Sequence, residues 1–178
     1  MHFASIKNCD IANGVGVRIS LFVSGCTHHC HNCFNQEAWD FNYGQQFTKT
    51  QEDQIIDLLK PDYIAGLSLL GGEPMEDLNQ KGLLPFVKRV KEIYPNKTIW
   101  CYSGYTYEYL LEKSKTQEYT KELLSLIDVL VDGKYVEELH DLSLRFRGSS
   151  NQRIIDVPKT LQQNKIVLWQ EGKGYLTE

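Results

Sequence analysis

Val17-Arg18-Ile19-Ser20-Leu21-Phe22-Val23 runs into Ser24-Gly25-Cys26-Thr27-His28-His29-Cys30-His31-Asn32-Cys33-Phe34-Asn35. The first seven residues are β-branched and apolar and read as a buried strand. The strand delivers the chain into a polar loop with cysteines at spacing Cys-x3-Cys-x2-Cys. Thiolates are soft ligands suited to zinc and to iron–sulfur clusters. Three of them can hold three corners of a four-iron cube and leave the fourth iron open to a ligand that is not protein.

Working outward, the same arrangement recurs. Tyr63-Ile64-Ala65-Gly66-Leu67-Ser68-Leu69-Leu70 reads as a second buried strand ending at Gly71-Gly72-Glu73-Pro74. Thr98-Ile99-Trp100-Cys101-Tyr102 reads as a third, ending at Ser103-Gly104-Tyr105-Thr106. Asp128-Val129-Leu130-Val131 reads as a fourth, ending at Asp132-Gly133-Lys134. Between them lie amphipathic segments. A short helix is expected from Thr50-x-x-Asp53, read as a capping box, to Leu59. A longer one reaches Tyr94, with Gly82 and Pro85 as positions that divide it. Two more are expected around Tyr107–Glu112 and Thr120–Ile127. Residues 2–13 read as an irregular or short-stranded lead-in. Ile154–Val157 and Ile166–Trp169 read as short strands about a turn or helix at Pro158–Gln163, and about 170–178 as a frayed tail.

Strands alternating with helices predict βα units and a parallel sheet. The glycine-rich and polar motifs all fall where strands end, the side on which parallel α/β folds build their sites. The expected architecture is α/β: an open, partial βα barrel of about five to six mainly parallel strands. Residues 1–178 form one domain, with no repeat or linker to divide them.

The chain of 178 residues has 42% hydrophobic and 24% charged residues, normal for a soluble globular protein. A net charge of −4 argues against a nucleic-acid partner. No apolar run approaches the roughly 20 residues that cross a bilayer, and the N-terminus lacks a signal-peptide core. The five cysteines are an odd number, with Cys26, Cys30 and Cys33 together, which suits a metal or cluster site in a reducing cytoplasm.

Cys26-x3-Cys30-x2-Cys33 after one strand, with Gly71-Gly72-Glu73 after the next, resembles the radical S-adenosylmethionine (SAM) enzymes. Asn13-Gly14-Val15-Gly16-Val17-Arg18, Leu21–Cys26, Gly71–Met75, Tyr102-Ser103-Gly104-Tyr105, Asp132–Tyr135 and Arg147-Gly148-Ser149-Ser150-Asn151-Gln152-Arg153 are similar to segments of the activating proteins of anaerobic (class III) ribonucleotide reductase. That resemblance covers most of residues 10–157. It implies a [4Fe–4S] cluster on Cys26, Cys30 and Cys33, with SAM chelated to the open iron. One electron would split the sulfonium bond, and the resulting 5′-deoxyadenosyl radical would take a hydrogen atom from a backbone glycine of anaerobic ribonucleoside-triphosphate reductase. An electron donor such as a flavodoxin is implied as second partner.

The resemblance also assigns residues. Gly71 and Gly72 would let the backbone approach SAM, with Glu73 close by its ammonium. Asp132 and Lys134 would meet the ribose and the methionine carboxylate, with Ser103 a further candidate. Asn32, Cys33 and Phe34 would line the adenine side; where many radical SAM enzymes carry an aromatic residue, this chain has Asn32. Cys101 reads as core, and His28, His29 and His31 as loop residues near the cluster.

Other readings of these residues are an activase for another glycyl-radical enzyme, a small radical SAM synthase, and a zinc-stabilised interaction module. In the last, His28, His29 or His31 would be the fourth ligand.

Overall fold

The computed structural model describes residues 1–170, and the expected tail lies outside the described residues from 171 onward. The strands are β1 (His2–Asp10), β2 (Val17–Val23), β3 (Gln45–Gln46), β4 (Ile64–Gly71), β5 (Thr98–Ser103), β6 (Val129–Asp132) and β7 (Arg153–Asp156). The helices are α1 (Lys49–Leu59), α2 (Asp77–Ile93), α3 (Tyr107–Ser114), α4 (Glu118–Leu126) and α5 (Val157–Gln163).

All seven strands join one sheet in the order β3-β1-β2-β4-β5-β6-β7. Its centre is parallel: β2 pairs with β4, β4 with β5, and β5 with β6. Its flanks are antiparallel, with β1 on β2 and β3, and β7 on β6. The sheet does not close, because β3 and β7 stand at opposite ends of the order. The α/β class and the open sheet agree with expectation, while the strands number seven rather than five to six, parallel at the centre and antiparallel at the flanks. The difference arises mainly at the N-terminus, where residues 2–10 form a nine-residue edge-side strand instead of a lead-in.

Period-2 alternation divides the sheet into two unlike faces. Ile19, Leu21, Leu67, Leu69, Ile99, Cys101 and Leu130 face the helices, packing with Ile55, Leu83, Phe86, Leu110 and Leu123. The opposite face carries Trp100, Val129 and Val131, covered by Tyr102, Phe146, Ile154 and Trp169. Arg18 crosses that second face, fully buried. Its guanidinium donates to Ser68 Oγ at 2.7 Å, to the carbonyls of Leu67 and Thr98 at 2.8 Å each, and to Thr98 Oγ1 at 2.9 Å. One side chain thus ties β2, β4 and β5 together on the face without helices, and its charge lies over the Trp100 ring.

Local signals moved in three places. The capping box of α1 is Thr48 with Gln51, two residues before the expected pair. Asp53 instead sits on the surface, where Lys49 and Arg89 hold it at 2.6 Å each. Helix α2 is continuous through Pro85, which is exposed, so water can satisfy the carbonyl that proline leaves without a donor. The expected last strand at Ile166–Trp169 is reduced to a single bridge between Leu168 and Ile155.

Substituting Arg18 with Met keeps most of the bulk and leaves Ser68 and Thr98 without their buried donor. The expected loss is about 3 kcal/mol, read as a lower midpoint in urea unfolding with an unchanged slope. An unchanged midpoint would mean that the guanidinium network contributes nothing to the parallel centre.

Candidate functional site

At the carboxyl ends of the parallel strands β2, β4, β5 and β6, the connecting loops enclose a cavity of about 500 Å³. Cys26, Cys30 and Cys33 form part of its wall, with Gly71, Gly72, Glu73, Ser103, Gly104 and Gly133 at the strand ends. Tyr135, Phe146, Arg147 and Gln152 close it from the segment between β6 and β7.

The cysteine loop is held by backbone hydrogen bonds that continue the sheet. Ser24 N–H donates to His2 O at 3.0 Å, Gly25 N–H to Ala38 O at 2.8 Å, and Cys26 N–H to Trp39 O at 3.2 Å. The second strand end closes on it: Gly72 N–H donates to Val23 O at 2.7 Å and Glu73 N–H to Gly25 O at 2.8 Å. This close approach explains both glycines. A Cβ on Gly71, whose φ is +111°, would lie 2.6 Å from Val23 O, and one on Gly72 would lie 2.6 Å from Gly25 O. Their missing side chains admit the neighbouring backbone, and both glycines also line the cavity.

Three polar side chains spaced three residues apart then grip the loop. Glu73 is almost completely buried, at 1% exposure. Its Oε1 accepts from Met75 N–H at 2.8 Å, while its Oε2 accepts from Gly104 N–H at 2.6 Å and lies 2.8 Å from His28 Nε2. Glu76 Oε1 accepts from Thr27 N–H at 3.0 Å and from Thr27 Oγ1 at 2.5 Å. The buried Asn79 amide donates to Ser24 O at 3.0 Å, to Glu73 O at 2.9 Å and to Gly25 O at 3.4 Å. The His28 ring also packs edge-on against Tyr105, with centroids 4.3 Å apart. His28, Glu76 and Asn79 carry no motif of their own. The signal that could have found the last two is the three-residue spacing of Glu73, Glu76 and Asn79 leading into α2.

All five cysteines are free thiols. Burial pushes the Cys26 thiol up to about 11, and the Glu73 charge adds to that shift. Burial also raises Cys30, reinforced by Cys33, while the Lys134 ammonium pulls the other way. A metal or cluster that takes these groups as thiolates must therefore displace protons on binding. Among the described residues no three His, Cys, Asp or Glu side chains converge on a position for one metal ion. Three free thiols sharing one cavity are a donor set of the kind that holds a cluster at three corners.

The other expected residues divide. Asn32 and Phe34 line the cavity, with Phe34 at 87% exposure. Asn32 has φ +53°, a left-handed conformation that asparagine tolerates and bulky residues resist, which gives a physical reason for asparagine where an aromatic is commoner. Ser103 is at the rim, but its hydroxyl accepts from Tyr105 N–H at 3.0 Å. Asp132 is not brought to the cavity: its carboxylate accepts from Tyr107 N–H at 2.7 Å and from Arg153 Nε at 2.9 Å and Nη2 at 2.5 Å. It shares the Leu130 face of β6, which is the helix side. Lys134 is exposed and lies outside the lining, near enough to Cys30 to act on it through its charge. Arg153, the last residue of the Arg147–Arg153 segment, pairs with both Asp132 and Glu108.

Comparison with known proteins adds to this geometry. Residues 12–155 match the family described as a 4Fe-4S single cluster domain. The anaerobic ribonucleoside-triphosphate reductase-activating protein of Haemophilus influenzae is 46% identical over 156 residues, 86% of this chain and 97% of that protein. The protein of the same name from Escherichia coli K12 is 44% identical over 154 residues, 85% of this chain and 96% of its own length. The one from Enterobacteria phage T4 is 38% identical over 154 residues, 86% of this chain and 93% of its own length.

Asn79→Ala removes the amide that holds the carbonyls of Ser24, Gly25 and Glu73. The expected cost is about 2–3 kcal/mol of stability in urea unfolding, together with less iron bound per chain after anaerobic reconstitution. Full iron content in the variant would show that the cysteine loop holds its shape without the clamp.

Proposed function

We propose that this chain, which belongs to the family of anaerobic ribonucleoside-triphosphate reductase-activating proteins, is an activating enzyme that cleaves SAM reductively at a [4Fe–4S] cluster and so installs a glycyl radical on that reductase. The observation that carries the reading is the set of three free thiols sharing one strand-end cavity with the Gly71-Gly72-Glu73 turn.

In this reading Cys26, Cys30 and Cys33 hold the cluster. When bound, the cluster and SAM together supply one-electron cleavage of the sulfonium, the source of a radical able to take hydrogen from a glycine Cα. The protein supplies position and shielding. The turn at Gly71–Glu73 offers the edge for the SAM ammonium, and the Glu73 carboxylate keeps that edge fixed against His28 and Gly104. Asn32 and Phe34 lie beside the third cysteine on the adenine side. Lys134, exposed beside the cavity, would meet the methionine carboxylate, and Ser103 and Asp132 would act from behind, Asp132 through its hydrogen bonds to Tyr107 and Arg153.

The chain acts as a single radical SAM domain with a flavodoxin-type electron donor and works in the cytoplasm. Five unpaired cysteines fit a reducing compartment. Among the described residues no helix is long and apolar enough to cross a membrane.

The test is direct. Anaerobically reconstituted, reduced protein is expected to convert SAM to 5′-deoxyadenosine and, with the reductase added, to give a glycyl EPR doublet. Cys26→Ser, Cys30→Ser and Cys33→Ser are each expected to abolish both signals, while Cys9→Ser and Cys101→Ala keep the iron. Cleavage without a doublet would move the assignment to another glycyl-radical enzyme or a small radical SAM synthase. One zinc and no sulfide in protein purified without oxygen would replace the enzyme reading with a zinc-stabilised module.

A further inference from the structure

The loop that begins at Arg147 is laced onto the turn that follows β6. Gln152 Oε1 accepts from Gly148 N–H at 2.9 Å and from Ser149 N–H at 3.1 Å, and its Nε2 donates to Gly133 O at 2.9 Å. Asn151 Nδ2 donates to Lys134 O at 2.9 Å, and Ser149, fully buried, accepts at its hydroxyl from Val136 N–H at 3.2 Å. The same turn carries Tyr135, whose main chain lies against the Cys30 thiol. Arg147 lines the cavity, half-buried, with Nη1 donating to Gln152 O at 2.6 Å. Its Nε and Nη2 have no hydrogen-bond partner among the described residues, and no described carboxylate pairs with it. It is also the one lysine or arginine among the described residues that line the cavity. The cations near it are placed otherwise: Arg153 holds Asp132 and Glu108, and Lys134 stands outside the lining.

A guanidinium drawn partly out of water without a counter-ion is unfavourable, so a cavity wall that keeps one is complementary to an anionic ligand group. We infer that Arg147 is a cofactor-binding residue whose guanidinium pairs with the methionine carboxylate of SAM. This rests on the function proposed above, and it gives the cavity wall itself a cation for the carboxylate that Lys134 would meet from outside the lining. SAM carries one carboxylate, and the planar fork of arginine matches a carboxylate better than the point charge of lysine does. The wall then holds both signs for the amino-acid end of SAM, the Glu73 turn for the ammonium and Arg147 for the carboxylate. Gln152 positions Arg147: its side chain pins the loop while its carbonyl takes one guanidinium nitrogen, which leaves the rest of the fork for the ligand.

Reconstituted wild type, Arg147→Met and Arg147→Lys are compared by equilibrium binding of SAM and of its decarboxylated analogue, S-adenosyl-3-methylthiopropylamine, with iron content measured alongside. The readout is each protein's preference for SAM, the ratio of the two dissociation constants. Arg147→Met is expected to lower that preference about ten- to hundredfold, the range for a hydrogen bond to a charged group, with the analogue bound as by wild type. Arg147→Lys keeps the charge and is expected to lower it less. If Arg147→Met does not take up iron, Arg147→Lys carries the comparison, with a loss confined to SAM expected. An unchanged preference overturns the inference, whether both ligands bind as before or both weaken equally. An unchanged preference with a raised KM for the reductase overturns it too, and gives Arg147 to the partner. If wild type binds no SAM and forms no 5′-deoxyadenosine, the proposed function fails, an outcome distinct from any difference between the variants.

Discussion

A single buried carboxylate couples the strand ends that build the site. Glu73 leaves β4, accepts the Gly104 N–H at the end of β5, and faces His28 in the cysteine loop that follows β2. A carboxylate at 1% exposure is tolerated because three donors from within the fold surround it. Removing it would strand Gly104 N–H, Met75 N–H and His28 in a place water does not reach. The cysteine loop, which has little regular structure of its own, takes its position from this contact and from Glu76 and Asn79 one and two turns on. A site on a loop gains precision when the groups behind it are locked, and here they sit on or beside a seventeen-residue helix.

The two faces of the sheet explain how such a site fits into a short chain. The apolar core of the central strands lies on one side, and the helices cover that side. The other side is left to loops, to Arg18 and to a small aromatic cluster, and it opens into the cavity at the strand ends. Arg18 supplies on that side the cross-strand tie that a second helical layer would otherwise provide. Its hydrogen bonds reach β4, β5 and the turn before β2. The Asp132–Arg153–Glu108 group does the same at the far edge, joining β6, β7 and α3.

The parallel centre was legible because four apolar runs each ended in a glycine-bearing motif, and the cysteine spacing was legible because ligand geometry is local. Register was harder. Alternation puts Ser103 on the same face as Cys101 and Asp132 on the same face as Leu130, and at the strand end Ser103 still lines the cavity while Asp132 does not. Gly71 and Gly72 were legible as special positions, but the atoms that require them, Val23 O and Gly25 O, come from another strand. The Glu73–His28 contact joins residues 45 apart, and no local pattern announces it. The antiparallel strand β1 was missed because its burial depends on pairing with β2 rather than on its own weak alternation.

The central claim is that Cys26, Cys30 and Cys33 hold a cluster whose remaining iron takes a ligand from solution, and EPR of the reduced, reconstituted chain titrated with SAM tests it most directly. The account predicts one [4Fe–4S] signal per chain whose g-values shift on saturation with SAM, with the shift lost in the three cysteine variants. A cluster signal that SAM leaves unchanged, or a chain that binds zinc and forms no cluster, would contradict it.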